Sequence, residues 1–103
     1  MSVLYVTEFS QRGQDGRNFT IDSMTLEPPL AEQTVAIGAG SVQSNALNAA
    51  TTYVRVHADA ICSIAFGTNP TATATTRRMA ANTTEYFGVP KNQAFKVAVI
   101  TNT

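Results

Sequence analysis

Two side chains in this sequence have the chemistry of a nucleophile and its base. They are Cys62 and His57, each the sole residue of its type. A thiolate attacks, and an imidazole within hydrogen-bond reach draws off its proton. Whether the two meet depends on the register of the strands that carry them, since only Ala58-Asp59-Ala60-Ile61 separates them. His57 and Asp59 also share the i, i+2 spacing that sets two metal ligands on one face of a strand. A transition-metal site takes a third and usually a fourth ligand, and there is no second histidine to supply one. Arg77-Arg78 could grip a phosphate or a carboxylate, but paired arginines also keep an edge strand from joining its neighbours. Gly38 and Gly40 imitate the start of a dinucleotide fingerprint, yet position 43 is Gln and no helical period follows. Glu8, Asp22, Glu27, Glu32, Asp59 and Glu85 are dispersed, without the paired setting of glycosidase carboxylates. Asn18-Phe19-Thr20 and Asn82-Thr83-Thr84 match the glycosylation triplet and read as chance matches where no secretory leader precedes them. The expectation is a protein that is not an enzyme and has no catalytic residue, cofactor or metal. Cys62 is then a buried thiol and His57 a surface imidazole.

Composition narrows the function classes further. The chain has 103 residues, a size that makes one domain with one modest core. Charged residues are 14% of the chain, against about 25% in an average globular protein. The formal net charge is zero, and of the seven basic residues only Arg77 and Arg78 adjoin. Affinity for nucleic acid comes largely from clustered Lys and Arg, so no nucleic-acid partner is expected. No apolar run approaches the ~20 residues of a membrane helix, so no membrane is expected either. Met1-Ser2-Val3-Leu4-Tyr5 lacks the basic region and apolar stretch of a secretory signal. With one cysteine there is no internal disulfide, and folding in a reducing cytoplasm is expected. Zero net charge gives weak protection against self-association, which suits a protein that sits in an assembly.

The elements that must position these residues are short strands. Val3 to Phe9 alternates, with Val3, Tyr5, Thr7 and Phe9 on one face and Leu4, Val6 and Glu8 on the other. Residues 10–18, with Asp15-Gly16, read as a loop or a long hairpin connection. Residues 19–26 read as a strand, Pro28-Pro29 as a stop, and 33–37 as a further short strand. Residues 44–50 fit either one or two helical turns capped by Ser44 or an irregular crossover. Tyr53 to Ala58 and Cys62 to Phe66 read as a hairpin. A three-residue loop sets Val54 opposite Phe66, Val56 opposite Ile64 and Ala58 opposite Cys62, leaving Tyr53, Arg55, His57 and Ser63 on the other face. A one-residue slip would exchange faces, so this register is preferred if one face is buried. Residues 72–76 read as an exposed Thr/Ala loop and 77–80 as a short edge strand. Glu85 to Val89 and Phe95 to Ile100 read as a last hairpin around Pro90-Lys91-Asn92-Gln93. Seven or eight short strands without a long helix predict an all-β fold, an antiparallel β-sandwich with the jelly roll as one form of it.

From about residue 33 onward the chain resembles small virion proteins of tailed bacteriophages. The residues that carry the likeness are Asn48-Ala49-Ala50-Thr51-Thr52-Tyr53-Val54-Arg55-Val56 and Phe66-Gly67-Thr68-Asn69-Pro70-Thr71-Ala72-Thr73. To these are added Ala81-Asn82-Thr83-Thr84-Glu85-Tyr86-Phe87-Gly88-Val89 and Lys96-Val97-Ala98-Val99-Ile100. The resemblance implies a β-sandwich subunit that decorates or cements a capsid as a homo-oligomer, with the major capsid protein as its partner. Such a protein is made in the host cytoplasm and resides in the virion. The alternative is a tail or fibre module that touches a host receptor or glycan. No residue role carries over. Clamping capsid subunits calls for a rigid fold with edges or arms that add to other chains. Residues 1–18 are the candidate arm and loop, and Tyr5, Phe9, Phe19 and Tyr86 are the candidate interface aromatics.

Overall fold

The computed structural model describes residues 2–14, 20–25 and 27–102, and the side chains of all of these except 12–14 and 20–24. Among the described residues there is no helix. The strands are β1 (Val3–Phe9), β2 (Arg12–Gln14), β3 (Thr20–Thr25), β4 (Ala31–Ala36), β5 (Val42–Gln43), β6 (Tyr53–Ala58), β7 (Cys62–Gly67), β8 (Arg77–Met79), β9 (Thr83–Gly88) and β10 (Lys96–Thr101). Two four-stranded antiparallel sheets, β4-β1-β6-β9 and β5-β10-β7-β8, form the sandwich, and β2 pairs with β3 in a separate ribbon. The all-β sandwich read from the sequence is therefore the fold.

Its connectivity is that of a jelly roll with one strand moved. An eight-stranded jelly roll is a long ribbon, first strand paired with last, second with seventh, third with sixth and fourth with fifth. Here β7 pairs with β8, β6 with β9 and β5 with β10, which leaves β4 without a later partner. The N-terminal strand β1 takes that place, pairing with β4 on one side and β6 on the other. Residues 3–9 are thus not a free arm. Leu4 and Val6 lie in the middle of the core, so β1 is an interior strand. Within residues 10–18, Arg12–Gln14 is a strand rather than loop.

Both predicted hairpins are corrected. β6 and β7 lie in different sheets, β6 between β1 and β9 and β7 between β10 and β8. β9 and β10 are likewise split between the layers. Residues 59–61 and 89–95 are arches that cross the sandwich. For residues 59–61 the physical reason is turn chemistry. Tight hairpin loops favour residues at positive φ, commonly Gly or Asn, and Asp59-Ala60-Ile61 supplies neither. The face assignment survives where the pairing does not. Val54, Val56 and Ala58 meet Ile64 and Cys62, but across the core instead of along a ladder.

The two sheets differ on their outer sides. Segment 68–76 folds back over the outside of β5-β10-β7-β8. The Gln43 amide donates to Asn69 Oδ1 at 2.9 Å and to the Pro70 carbonyl at 2.8 Å. The Ala72 N–H donates to Ser41 Oγ at 2.9 Å, and Asn102 Nδ2 donates to Ser63 Oγ at 2.6 Å and to the Ala74 carbonyl at 3.2 Å. Under this cover Ser63 and Ala98 are fully buried although alternation turns them away from the core. Ala72, expected in an exposed loop, is buried with them, while Thr73 to Thr75 stay exposed.

Candidate functional site

The outer side of β4-β1-β6-β9 has no comparable cover among the described residues. Alternation and register arrange it in rows. Thr34, Tyr5, His57 and Thr84 stand side by side across the four strands, and the next row is Glu32, Thr7, Arg55 and Tyr86. Phe9, Tyr53 and Gly88 form a third. The pattern originates in Tyr53-Val54-Arg55-Val56-His57-Ala58, where strict alternation sends every valine inward and the ring- and charge-bearing residues outward.

Tyr5 is 43% exposed and Tyr86 53% exposed, so two of the four predicted interface aromatics lie on this face. Phe9 is a correction. It is only 2% exposed and stacks on Tyr53 with ring centroids 5.2 Å apart. The Tyr53 hydroxyl donates to the Gln11 carbonyl at 2.9 Å, which ties the end of the face to the chain leaving β1. Phe9 therefore belongs to the interior of the protein. Phe19 lies outside the described residues.

Arg55 occupies the middle of the face, between Thr7 and Tyr86. It has no hydrogen-bond or ion-pair partner among the described residues. Its neighbour His57 shares a 2.8 Å hydrogen bond through Nδ1 with Thr84 Oγ1, and its ring centroid is 6.2 Å from that of Tyr5. His57 Nε2 stands 3.9 Å from Asp59 Oδ1. Thr84 thus orients the imidazole while Asp59 lies beside its outer nitrogen. Cys62 is buried in the other sheet, so it does not approach His57, and burial raises its thiol pKa. Among the described residues no group of three or more His, Cys, Asp or Glu side chains comes together to hold a metal.

A second feature borders the face. Between the edges of β8 and β9 the sandwich opens into a groove of about 660 Å³. Its apolar lining includes Phe66, Phe87, Val89 and Phe95, with Arg77 at the rim. Phe66 and Phe87 pack with centroids 5.2 Å apart, and the Arg77 guanidinium lies 5.0 Å from the centroid of the Phe87 ring. Sequence reasoning placed Arg77 on an edge strand but did not find the groove. Its walls come from strands in opposite layers, and their pairing was misread as hairpins.

A sheet face with hydroxyl-bearing rings around a guanidinium that has no partner among the described residues is equipped to adhere. Tyrosine offers large area at low conformational cost, and arginine offers planar donors for carboxylate or carbonyl groups. Comparison with family models, with curated proteins and with solved structures finds no match to this chain.

Proposed function

We propose that the protein is a structural virion subunit that decorates or stabilises a phage capsid, docking the open face of β4-β1-β6-β9 on the major capsid protein. One observation carries the reading. The chain uses its own segment 68–76 to cover one sheet, while among the described residues the other keeps Tyr5 and Tyr86 exposed around an Arg55 with no ion-pair or hydrogen-bond partner. Tyr and Arg, with Trp, are the residues most enriched at binding hot spots. The jelly-roll path adds support by analogy of fold, since capsid domains of many viruses use it. In the virion the protein would occupy symmetry positions as a homo-oligomer.

The test is copy number and docking together. Virions carrying this gene, purified and quantified by mass spectrometry, should hold the protein in a fixed ratio to the major capsid protein. Heads stripped of it should rebind the purified chain and melt at a higher temperature. The triple variant Tyr5→Ala/Arg55→Ala/Tyr86→Ala should stay folded and fail to cosediment. Absence from the particle ends the capsid reading, and full rebinding by the triple variant removes this face from it. The same tyrosines and arginine suit a sugar ring and its hydroxyls, so a tail module for a host glycan is the second reading. Binding of the isolated protein to host cells or glycans favours it.

A further inference from the structure

We infer that a second copy of this chain pairs with strand β9, extending β4-β1-β6-β9 into a continuous eight-stranded sheet across a two-fold axis. This edge is open and regular. The Val89 N–H donates to the Thr52 carbonyl at 2.9 Å. By alternation, Thr83, Glu85 and Phe87 turn their backbone groups toward β6, while Thr84, Tyr86 and Gly88 turn theirs outward, with no strand beyond among the described residues. The other candidates are poorer. The edges of the second sheet are two and three residues long. β4 is tied to the 44–48 segment, because the Gln33 amide donates to the Asn45 carbonyl at 3.3 Å and accepts from the Asn45 N–H at 2.9 Å.

Charge identifies the occupant. Glu85 sits on the core-facing side of β9, opposite Val56, yet it is exposed and has no partner among the described residues. Arg77 has the Phe87 ring beneath it and no carboxylate beside it among the described residues. Two inward charges on strand edges are a common guard against pairing. Here their signs and stagger convert the guard into a match for one partner. In an antiparallel pair centred on Tyr86, Thr84 faces the second copy's Gly88, and Glu85 faces the second copy's Phe87. Directly opposed residues bring their Cβ atoms to about 5 Å. Glu85 therefore arrives where the second copy's Arg77 lies over its Phe87. The two-fold makes the ion pair twice, covers both grooves and sets the two Tyr86 rings together on the outer face. An unrelated strand would not offer Arg77 at that position.

The experiment is sedimentation velocity on the purified chain from about 1 μM to about 500 μM, a range that spans weak and moderate dissociation constants. The expected species has twice the 11.0 kDa chain mass. Glu85→Arg should weaken association by about tenfold or more, since it sets two like-charged pairs in the interface. Arg77→Glu/Glu85→Arg, which exchanges the signs, should recover it. Tyr86→Pro should give a folded monomer, because the N–H it removes points away from β6. Thermal unfolding of each variant close to wild type shows that association, and not folding, has changed. A wild-type chain that is monomeric throughout overturns the pairing. So does an oligomer unmoved by Glu85→Arg and Tyr86→Pro, or a folded sign-exchanged variant that stays dissociated. The readout needs no capsid, so this inference and the docking proposal fail separately.

Discussion

Glu8 shows what one residue does in this fold. It is 1% exposed, on the core side of β1 beside Leu4 and Val6. Its Oε1 accepts from the Asn48 N–H at 2.6 Å and from the Thr51 hydroxyl at 2.8 Å, and its Oε2 accepts from the Gln33 amide at 3.3 Å. These neutral donors satisfy the buried carboxylate and pin the irregular crossing 44–51 to the sheet. Glu8→Ala leaves donors unpaired and should destabilise by about 2–4 kcal/mol, whereas Glu8→Gln keeps the oxygen that takes the two short bonds and should cost about 1–1.5 kcal/mol. Equilibrium unfolding in urea measures both, and a loss below about 0.5 kcal/mol for Glu8→Ala would show that the crossing is held otherwise. The sequence put Glu8 on the right face, with Leu4 and Val6, but its role was not legible. Its donors come from positions 25 to 43 residues away. Phe9 was misread for a related reason, because alternation places it outward and only tertiary packing buries it. Cys62 supplies a pH signature. Burial holds its folded-state pKa above the unfolded value, so its contribution is complete below the ordinary thiol range. It fades as pH rises beyond that range, because the unfolded chain then releases a proton that the folded chain keeps. The urea midpoint of the wild type should fall more steeply between about pH 8 and about pH 10 than that of Cys62→Ala. Equal slopes would mean that the thiol ionises as freely folded as unfolded.

At the scale of elements, strands were legible and partners were not. The inward set Val54, Val56 and Ala58 followed from period two alone, because polarity alternates without a break from Tyr53 to Ala58. Val56→Asp and Ile64→Asp should each abolish cooperative folding, since an unpaired buried charge costs several kcal/mol against a total stability of about 5–15 kcal/mol. Arg55→Ala should change stability by about 1 kcal/mol or less, as its side chain faces outward and has no described partner. Circular dichroism melts rank the three, and Arg55→Ala as the worst would invert the faces. Cys62, Ser63 and Ile64 are buried in succession, as expected of a strand covered on both sides, by the core and by segment 68–76. The 89–95 arch carries another cost. Ala94 has φ of 52° and Asn92 φ of 64°, and alanine pays about 1 kcal/mol or more in the left-handed region. Ala94→Gly should therefore stabilise by about 0.5–1 kcal/mol after the added chain entropy is deducted. A lower melting point for this variant would contradict the strain.

For the whole molecule, the shifted strand makes the clearest demand. β1 stands where the ribbon that begins at β4 would place its last strand, so its position in the chain is separable from its position in the fold. The two ends of the described chain meet accordingly. The Ile37 N–H donates to the Ser2 carbonyl at 3.0 Å, and the Thr101 N–H donates to the carbonyl of the next residue, Gly38, at 2.9 Å. A linker of a few Gly and Ser residues should join 102 to 2, with new ends opened between Pro28 and Pro29, ahead of β4. That chain runs β4 through β10 and then β1, the ordinary jelly-roll order, and carries the β2–β3 ribbon last. Every ladder of the sandwich is preserved, so far-ultraviolet circular dichroism should match the parent and the melting point should lie within about 10 °C of it. The refolding rate adds a second reading. In the parent, β1 joins strands far along the chain, with Leu4 opposite Ala58 and Val35; the permutation keeps the closure to Ala58 at similar length and roughly doubles the one to Val35, a change that adds only about 1 kcal/mol of closure entropy. Rates within about tenfold are therefore expected. A permuted chain that collapses without a cooperative melt would mean that the connection from β1 to β4 is itself needed to hold the sheet, and that this fold is more than a jelly roll with its last strand placed first.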